Sequence, residues 1–598
     1  MIVPPPSLTE TPGRTAVALA FADVHKSFHR GRSTVSALRG TTLSVPARAV
    51  TALIGPDGAG KTTIMRLAAG LLRADRGRIA IFGMDPRTGA RADHAYIGYM
   101  PQRFGLYEDL TVAENLRLYG DLQGVPHRQR TARYEQLMQM TGLSPFLSRR
   151  AGRLSGGMQQ KLGLACTLVR TPKLLLLDEP TAGVDPVSRR DLWTIINSII
   201  RDEGVSVLVS TAYIDEAERC HQVIVAHDGR VLAMGSPLEL TRTVAGRTFS
   251  IRTSIETRRG WQRELSSIKG VVDVSTLADS LHVLTARDVS DLAKMTHERL
   301  PEAIVELTPA RLEDAVVAML TPPGPAQETT SSERDAPGHS QPHRALTPMI
   351  TVKGATRAFG SFLAVNKISF EVRRGEVFGL LGANGAGKTT TFRMLCGLLP
   401  PTSGQLHVAG IDLRSAPAAA RARIGYVSQH FSLYGELTVS QNLRFFASAY
   451  GLGRRQRAQR IGWALDEFDL VSVRNAVSGA LPLGFGRRLA MACALMHKPD
   501  VLFLDEPTSG VDPLTRRRFW RRITALAELG MTVLVTTHHV EEAEYCDRLV
   551  IMVTGRLATS GTPAEIRSFA RTPGHPSPTM NEAFLAIVQA SQDSGGDP

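Results

Sequence analysis

A nine-residue phrase occurs twice in this chain and limits what it can fold into more than any other feature. It reads Gly55-Pro56-Asp57-Gly58-Ala59-Gly60-Lys61-Thr62-Thr63 and returns 327 positions later as Gly382-Ala383-Asn384-Gly385-Ala386-Gly387-Lys388-Thr389-Thr390. The second copy follows VFGLLG, a continuous apolar run ending in glycine, as a buried strand does. The segments after the loops, TIMRLAAGLL and TFRMLCGLL, have the spacing of amphipathic helices. A strand, a glycine loop and a helix start together make an anion nest: the glycines let the backbone close on phosphate oxygens, and successive N–H groups point inward. Lys61 and Lys388 are then placed to reach β- and γ-phosphates, and Thr62 and Thr389 to offer a hydroxyl to Mg²⁺. One such loop could be a chance glycine turn; two in register are not.

The repeat extends far beyond the loops. The offset of 327 also links Gln102 to Gln429, Leu154 to Leu481 and Asp178 to Asp505. TAYIDEAERC (Thr211 to Cys220) matches THHVEEAEYC (Thr537 to Cys546) at 326. A whole domain is therefore duplicated, not a short solenoid unit. In each copy an apolar strand ends in carboxylates, KLLLLDEP and DVLFLDEP, and a second apolar strand follows, SVLVST and TVLVTT. Strands alternating with helices predict an α/β fold with a mostly parallel sheet and ligands at its carboxyl edge. There Asp178 and Asp505 are positioned to hold Mg²⁺, and Glu179 and Glu506 to polarise an attacking water.

The copies span residues 17–244 and 348–590. Between them, FSIRTSI, VVDVSTL, SLHVLTA and AIVELTP suggest a small α+β accessory domain over 245–321. Residues 322–347, rich in Pro, Ser and charge, read as a flexible linker. Apolar residues make up 43% of the 598 and charged residues 21%, an ordinary globular balance. No apolar stretch is long enough to span a bilayer, and MIVPPPSLTETPGRTA lacks the pattern of a signal peptide, so a cytoplasmic location is expected. The five cysteines form no CxxC pair and are expected as buried free thiols. The net charge of +14 suits either nucleic acid or an anionic membrane leaflet.

With these residues assembled, both halves resemble the ABC transporter ATPase family. LSGGMQQK (Leu154 to Lys161) resembles the family signature, including Ser155, Gly156 and Gly157. Gln102 and Gln429 match its Q-loop, which the resemblance makes a contact for the membrane partner and a sensor of Mg²⁺. GVDP at Gly183 and at Gly510 matches the D-loop, and His538 the switch histidine that touches the γ-phosphate. Phe28 and Phe359 stand where the family stacks an aromatic ring on adenine, with core packing the alternative. The resemblance implies two P-loop NTPase domains in tandem that bind ATP and Mg²⁺ and hydrolyse ATP. An accessory domain ending in LEDAVVAML is similar to that of drug-export ATPases. The tandem form without membrane spans is similar to fused subunits serving one or two separately encoded permeases at the cytoplasmic face of the inner membrane.

The halves differ where chemistry is concerned. The second signature reads Leu481-Pro482-Leu483-Gly484-Phe485-Gly486, and the first half has Ala212 where the second has His538. Proline brings no N–H, leucine blocks close backbone approach, and alanine has no donor. The family closes its cassettes head to tail, which sends both defects to one composite site, that of Lys61, Asp178, Glu179 and Ala212. The other, with Lys388, Asp505, Glu506, His538 and the intact Ser155-Gly156-Gly157, is expected to hydrolyse ATP. Ser155 has a plainer role open to it as a helix N-cap. The rival function is a ribosome-associated ABC protein acting in translation, which the broken signature and Pro/Ser-rich linker disfavour. A DNA-repair ABC ATPase is disfavoured by the missing zinc-type cysteine pairs, and no nucleic-acid partner is expected.

Overall fold

The computed structural model describes residues 16–30, 33–85, 96–102, 105–252, 348–428, 433–509, 511–572 and 578–593; of the stretch between the repeats it describes 261–262, 264–277, 280–286, 303–321 and the single positions 292, 294 and 296. The linker 322–347, Gln429 and Gly510 lie outside these residues. The chain divides into two units, the first holding residues 1–246, 309–322 and 510–514, the second 247–308, 323–509 and 515–598.

In the first unit six strands lie in the order Ile97–Met100, Leu174–Asp178, Ser206–Ser210, Val50–Ile54, Gln222–His227, Arg230–Gly235. The first five are parallel, and the last turns back antiparallel. Val50–Ile54, Leu174–Asp178 and Ser206–Ser210 are buried at every residue, because helices and a second sheet cover both faces. That second sheet is antiparallel, with Val17–Arg30 between Ser33–Pro46 and Arg76–Ile81. The helix Lys61–Ala68 lies between the two sheets, its Ile64, Met65 and Leu67 in one core with Phe21, Leu43 and Leu176. The helices Val112–Leu122, His127–Thr141 and Gly156–Thr167 build a further apolar cluster against the other face.

The second unit repeats this plan. Its sheet runs Ile424–Val427, Val501–Asp505, Thr532–Thr537, Val377–Gly382, Arg548–Val553, Arg556–Gly561, again with only the last pair antiparallel. The strand Phe362–Arg373 alternates exposed and buried residues from Lys367 to Arg373. The helices after the glycine loops are shorter than TIMRLAAGLL and TFRMLCGLL suggest. They stop at Ala68 and Leu395, because Gly70 (φ 72°) and Gly397 (φ 65°) turn left-handed just beyond and end the helix.

The stretch between the repeats contributes to both units. Its four strands, in the order Val271–Leu277, Ser280–Thr285, Thr248–Arg252, Ile304–Leu307, form an antiparallel sheet that groups with the second unit. Every residue of Ser280–Thr285 is buried, so both sheet faces are covered there. One face carries Ile251, Val274, Leu281 and Val283 into a small core. On the other, Asp273 pairs with Arg517 and Arg521 of the helix Pro513–Glu528. The helix Leu312–Leu320, which holds LEDAVVAML, groups instead with the first unit, where Leu312, Val316 and Leu320 join the core of the first repeat.

Candidate active sites

Each glycine loop delivers its lysine to the same place. Gly60 and Gly387 stand at the helix N-termini at φ 96° and 97°, and neither helix start is capped by a side chain. A Cβ on Gly60 would fall 2.8 Å from the carbonyl oxygen of Ala37, and one on Gly387 2.5 Å from that of Ala364. Gly58 and Gly385 by contrast face open space. Lys61 Nζ arches over the loop to donate to the Gly55 and Pro56 carbonyls at 2.7 and 3.3 Å; Lys388 does the same to Gly382 and Ala383 at 2.7 and 3.0 Å. An uncapped helix start, an open glycine face and a buried ammonium together fit a polyphosphate.

The carboxylates emerge at the ends of Leu174–Asp178 and Val501–Asp505. Ser210 Oγ donates to Asp178 Oδ1 at 2.6 Å, leaving Oδ2 buried without a hydrogen-bond partner among the described residues. Thr536 Oγ1 donates to Asp505 Oδ1 at 2.5 Å, and burial lifts that carboxyl above its ordinary value. A buried carboxylate with one oxygen in hand and one spare fits a hard cation such as Mg²⁺. The next residues, Glu179 and Glu506, leave the strands in the left-handed region at φ 52° and 47°. Non-glycine residues are strained there, a conformation that recurs at functional sites.

The glutamates have different company. In the first half Gln102 Nε2 donates to Glu179 Oε2 at 2.6 Å. Burial pushes the Glu179 carboxyl above its ordinary value, with Lys61 opposing. In the second half His538 Nδ1 lies 2.9 Å from Glu506 Oε1, both side chains almost wholly buried. Burial acts on Glu506 too, but His538, Lys388 and Arg487 outweigh it and hold the carboxyl below its ordinary value.

The family described as ABC transporter matches residues 38–182 and 365–509, one stretch in each half. A shorter match, to an AAA domain described as a putative AbiEii toxin of a type IV toxin–antitoxin system, covers 481–544 inside the second. YbhF of Escherichia coli K12, described as a probable multidrug ABC transporter ATP-binding protein, is 47% identical over 545 residues, covering 91% of this chain and 93% of that one. The chain belongs to the ABC transporter ATP-binding family. Nod factor export ATP-binding protein I of Ralstonia nicotianae is 42% identical over 221 residues, 37% of this chain and 69% of that one. A solved structure of an ABC transporter ATP-binding subunit is 30% identical, covering 40% of this chain and 99% of that one with a TM-score of 0.37. As a family member the chain binds and hydrolyses ATP. Among the described residues no helix is long and apolar enough to cross a membrane.

Ser155 caps the helix Gly156–Thr167, its Oγ accepting from the Met158 N–H at 3.3 Å. In the second half Pro482 occupies the same N-cap position before Leu483–Ala494 and makes no side-chain cap. Phe28 and Phe359 are 40% and 49% exposed, which rules out core packing for both. Phe28 pairs across its hairpin with Val35, two residues from the Ala37 carbonyl that crowds Gly60. Phe359 pairs with Phe362, two residues from Ala364. Lys26 and Arg357 lie over the two rings at 5.6 and 4.7 Å. In the first D-loop Asp185 caps the helix Pro186–Glu203, accepting from Val187 and Ser188 at 3.2 and 3.1 Å. Two features escaped the motifs: the buried Glu216, which accepts from Thr211 Oγ1 at 2.6 Å, and Arg487, which stands where the first half has Gln160. Superposing the repeats in sequence exposes the second.

Proposed function

We propose that this chain energises an exporter of drugs and other amphiphiles, working with one or two separate permease subunits at the cytoplasmic face of the cell membrane. The likeness to YbhF over 91% of the chain supports the drug-export reading. In the proposal the cassettes close head to tail, and the second glycine loop together with the first signature makes the site that turns over ATP. The loop N–H groups and Lys388 hold the phosphates, Glu506 takes a proton from the attacking water, and His538 orients Glu506 and reaches the γ-phosphate. Asp505, Thr389 and Gln429 would hold Mg²⁺, which would neutralise charge at the phosphates. Phe359 and Phe28 carry the adenine rings. The first glycine loop, with Asp178, Thr62 and Gln102 for its metal, mainly binds nucleotide.

One observation carries the asymmetry: Glu506 has His538 at 2.9 Å, whereas the first half has an alanine, Ala212, at that position. An oriented donor at the reacting phosphate is worth about two to three orders of magnitude in turnover. The test compares Glu506→Gln with Glu179→Gln. The first should abolish most ATPase activity and the second leave much of it; equal losses would refute the division. Reconstitution with candidate permeases, read as ATP-dependent dye efflux from vesicles, tests the exporter role. Co-sedimentation with ribosomes would favour translation instead.

A further inference from the structure

Arg487 lies early in the helix Leu483–Ala494, which begins at the altered signature, and it is only 8% exposed. Its guanidinium enters the loop that follows Glu506. Nη1 donates to the carbonyl oxygens of Glu506 at 3.1 Å and of Pro507, and Nη2 donates to that of Ser509 at 2.5 Å. One rigid planar cation therefore gathers three carbonyls from four consecutive residues, beginning at the residue that leaves its strand at φ 47°. Burying a cation is costly without such partners, so its cost is repaid only where the loop keeps this shape.

The first half does this differently. Its counterpart, Gln160, is 4% exposed, uncharged and shorter, and its Oε1 is buried without a hydrogen-bond partner among the described residues. The arginine thus appears in the half whose signature has lost its serine and first glycine, on the very helix that signature opens. It also stands in the half where the catalytic glutamate meets the switch histidine.

We infer that Arg487 is a positioning residue for hydrolysis at the second half. By bracing the backbone from Glu506 to Ser509 it fixes the Glu506 carboxylate in its strained turn against His538. The altered signature helix, poor at holding a nucleotide, serves the catalytic loop of its own cassette instead. This rests on the reading of Glu506 as the working base.

The test uses the full chain with Mg-ATP and three variants. Arg487→Gln installs the residue the first half already accommodates; it should lower kcat by about 10- to 100-fold, as misplacement of a reacting group does, with KM for ATP within about twofold and thermal unfolding unchanged. Arg487→Lys keeps the charge but not the fork and should recover part of kcat. A kcat for Arg487→Gln within about twofold of wild type, beside an inactive Glu506→Gln, overturns the inference; so does a loss expressed equally in KM. Should Arg487→Gln fail to fold, Arg487→Lys decides alone, a wild-type kcat overturning the inference and a reduced kcat at unchanged KM supporting it. An active Glu506→Gln removes the reading of Glu506 itself, a pattern distinct from the others, and the inference falls with it.

Discussion

Glu179 and Glu506 occupy the same strained turn at nearly the same φ, 52° and 47°, yet their carboxyls are displaced in opposite directions, the first upward and the second downward. Burial pushes both carboxyls upward, so burial does not set their opposite directions. The neighbours do: an amide from Gln102 on one side, the imidazole of His538 on the other. Two copies of one fold surround the same glutamate with different neighbours.

His538→Ala should therefore convert the second half into an electrostatic copy of the first. Steady-state ATPase activity of the full chain is expected to fall by about two to three orders of magnitude. ATP binding, followed with a fluorescent analogue, should persist because Lys388 and the glycine loop are untouched.

Gly387→Ala places a methyl 2.5 Å from the Ala364 carbonyl oxygen and forces alanine to φ 97°. The loop cannot keep its shape under both demands. Nucleotide binding at the second half should be lost and ATPase activity with it, whereas Gly60→Ala should remove binding at the first half and leave most turnover.

Asp273→Ala leaves Arg517 buried, with its side chain 5% exposed, and without this carboxylate. Breaking a buried pair from one side costs about 3 kcal/mol or more. Arg521, 42% exposed, adds little. A lowered urea midpoint for the second unit, with the first unit's transition unmoved, is the expected result.

All five cysteines are buried, and burial raises the thiols of Cys166, Cys220, Cys396 and Cys493 well above the ordinary cysteine range. Thiolate is the reactive form, so alkylation at neutral pH should be negligible in the native protein and complete in denaturant. Mass spectrometry after a timed iodoacetamide pulse reads this directly.

The glycine loops and the strand-end carboxylates were legible because their placement is local: a few adjacent residues dictate the turn and the end of the strand. His538 was legible through its THHVEEAE context and the family resemblance, and comparing the repeats showed Ala212 in its place. What local pattern could not carry was the left-handed turn at Glu179 and Glu506, since nothing about a glutamate announces φ near 50°. Nor could it show Asp273 meeting Arg517, residues far apart in sequence whose pairing depends on how a sheet packs on a helix. TIMRLAAGLL and TFRMLCGLL misled for the opposite reason: apolar spacing continued past the glycine that stops each helix. Arg487 was visible in the sequence but silent, because its meaning lies in which carbonyls it faces.

The helix Leu312–Leu320 returns to the first repeat after the chain has built four strands that belong to the second unit. The first cassette is thus completed by a piece that arrives late. During synthesis it waits for some sixty further residues before its Leu312, Val316 and Leu320 positions are filled. Anyone excising that cassette at Gly246 would leave its last wedge behind and obtain a sticky, incomplete protein, whereas supplying the nine-residue segment in trans offers a way to close it.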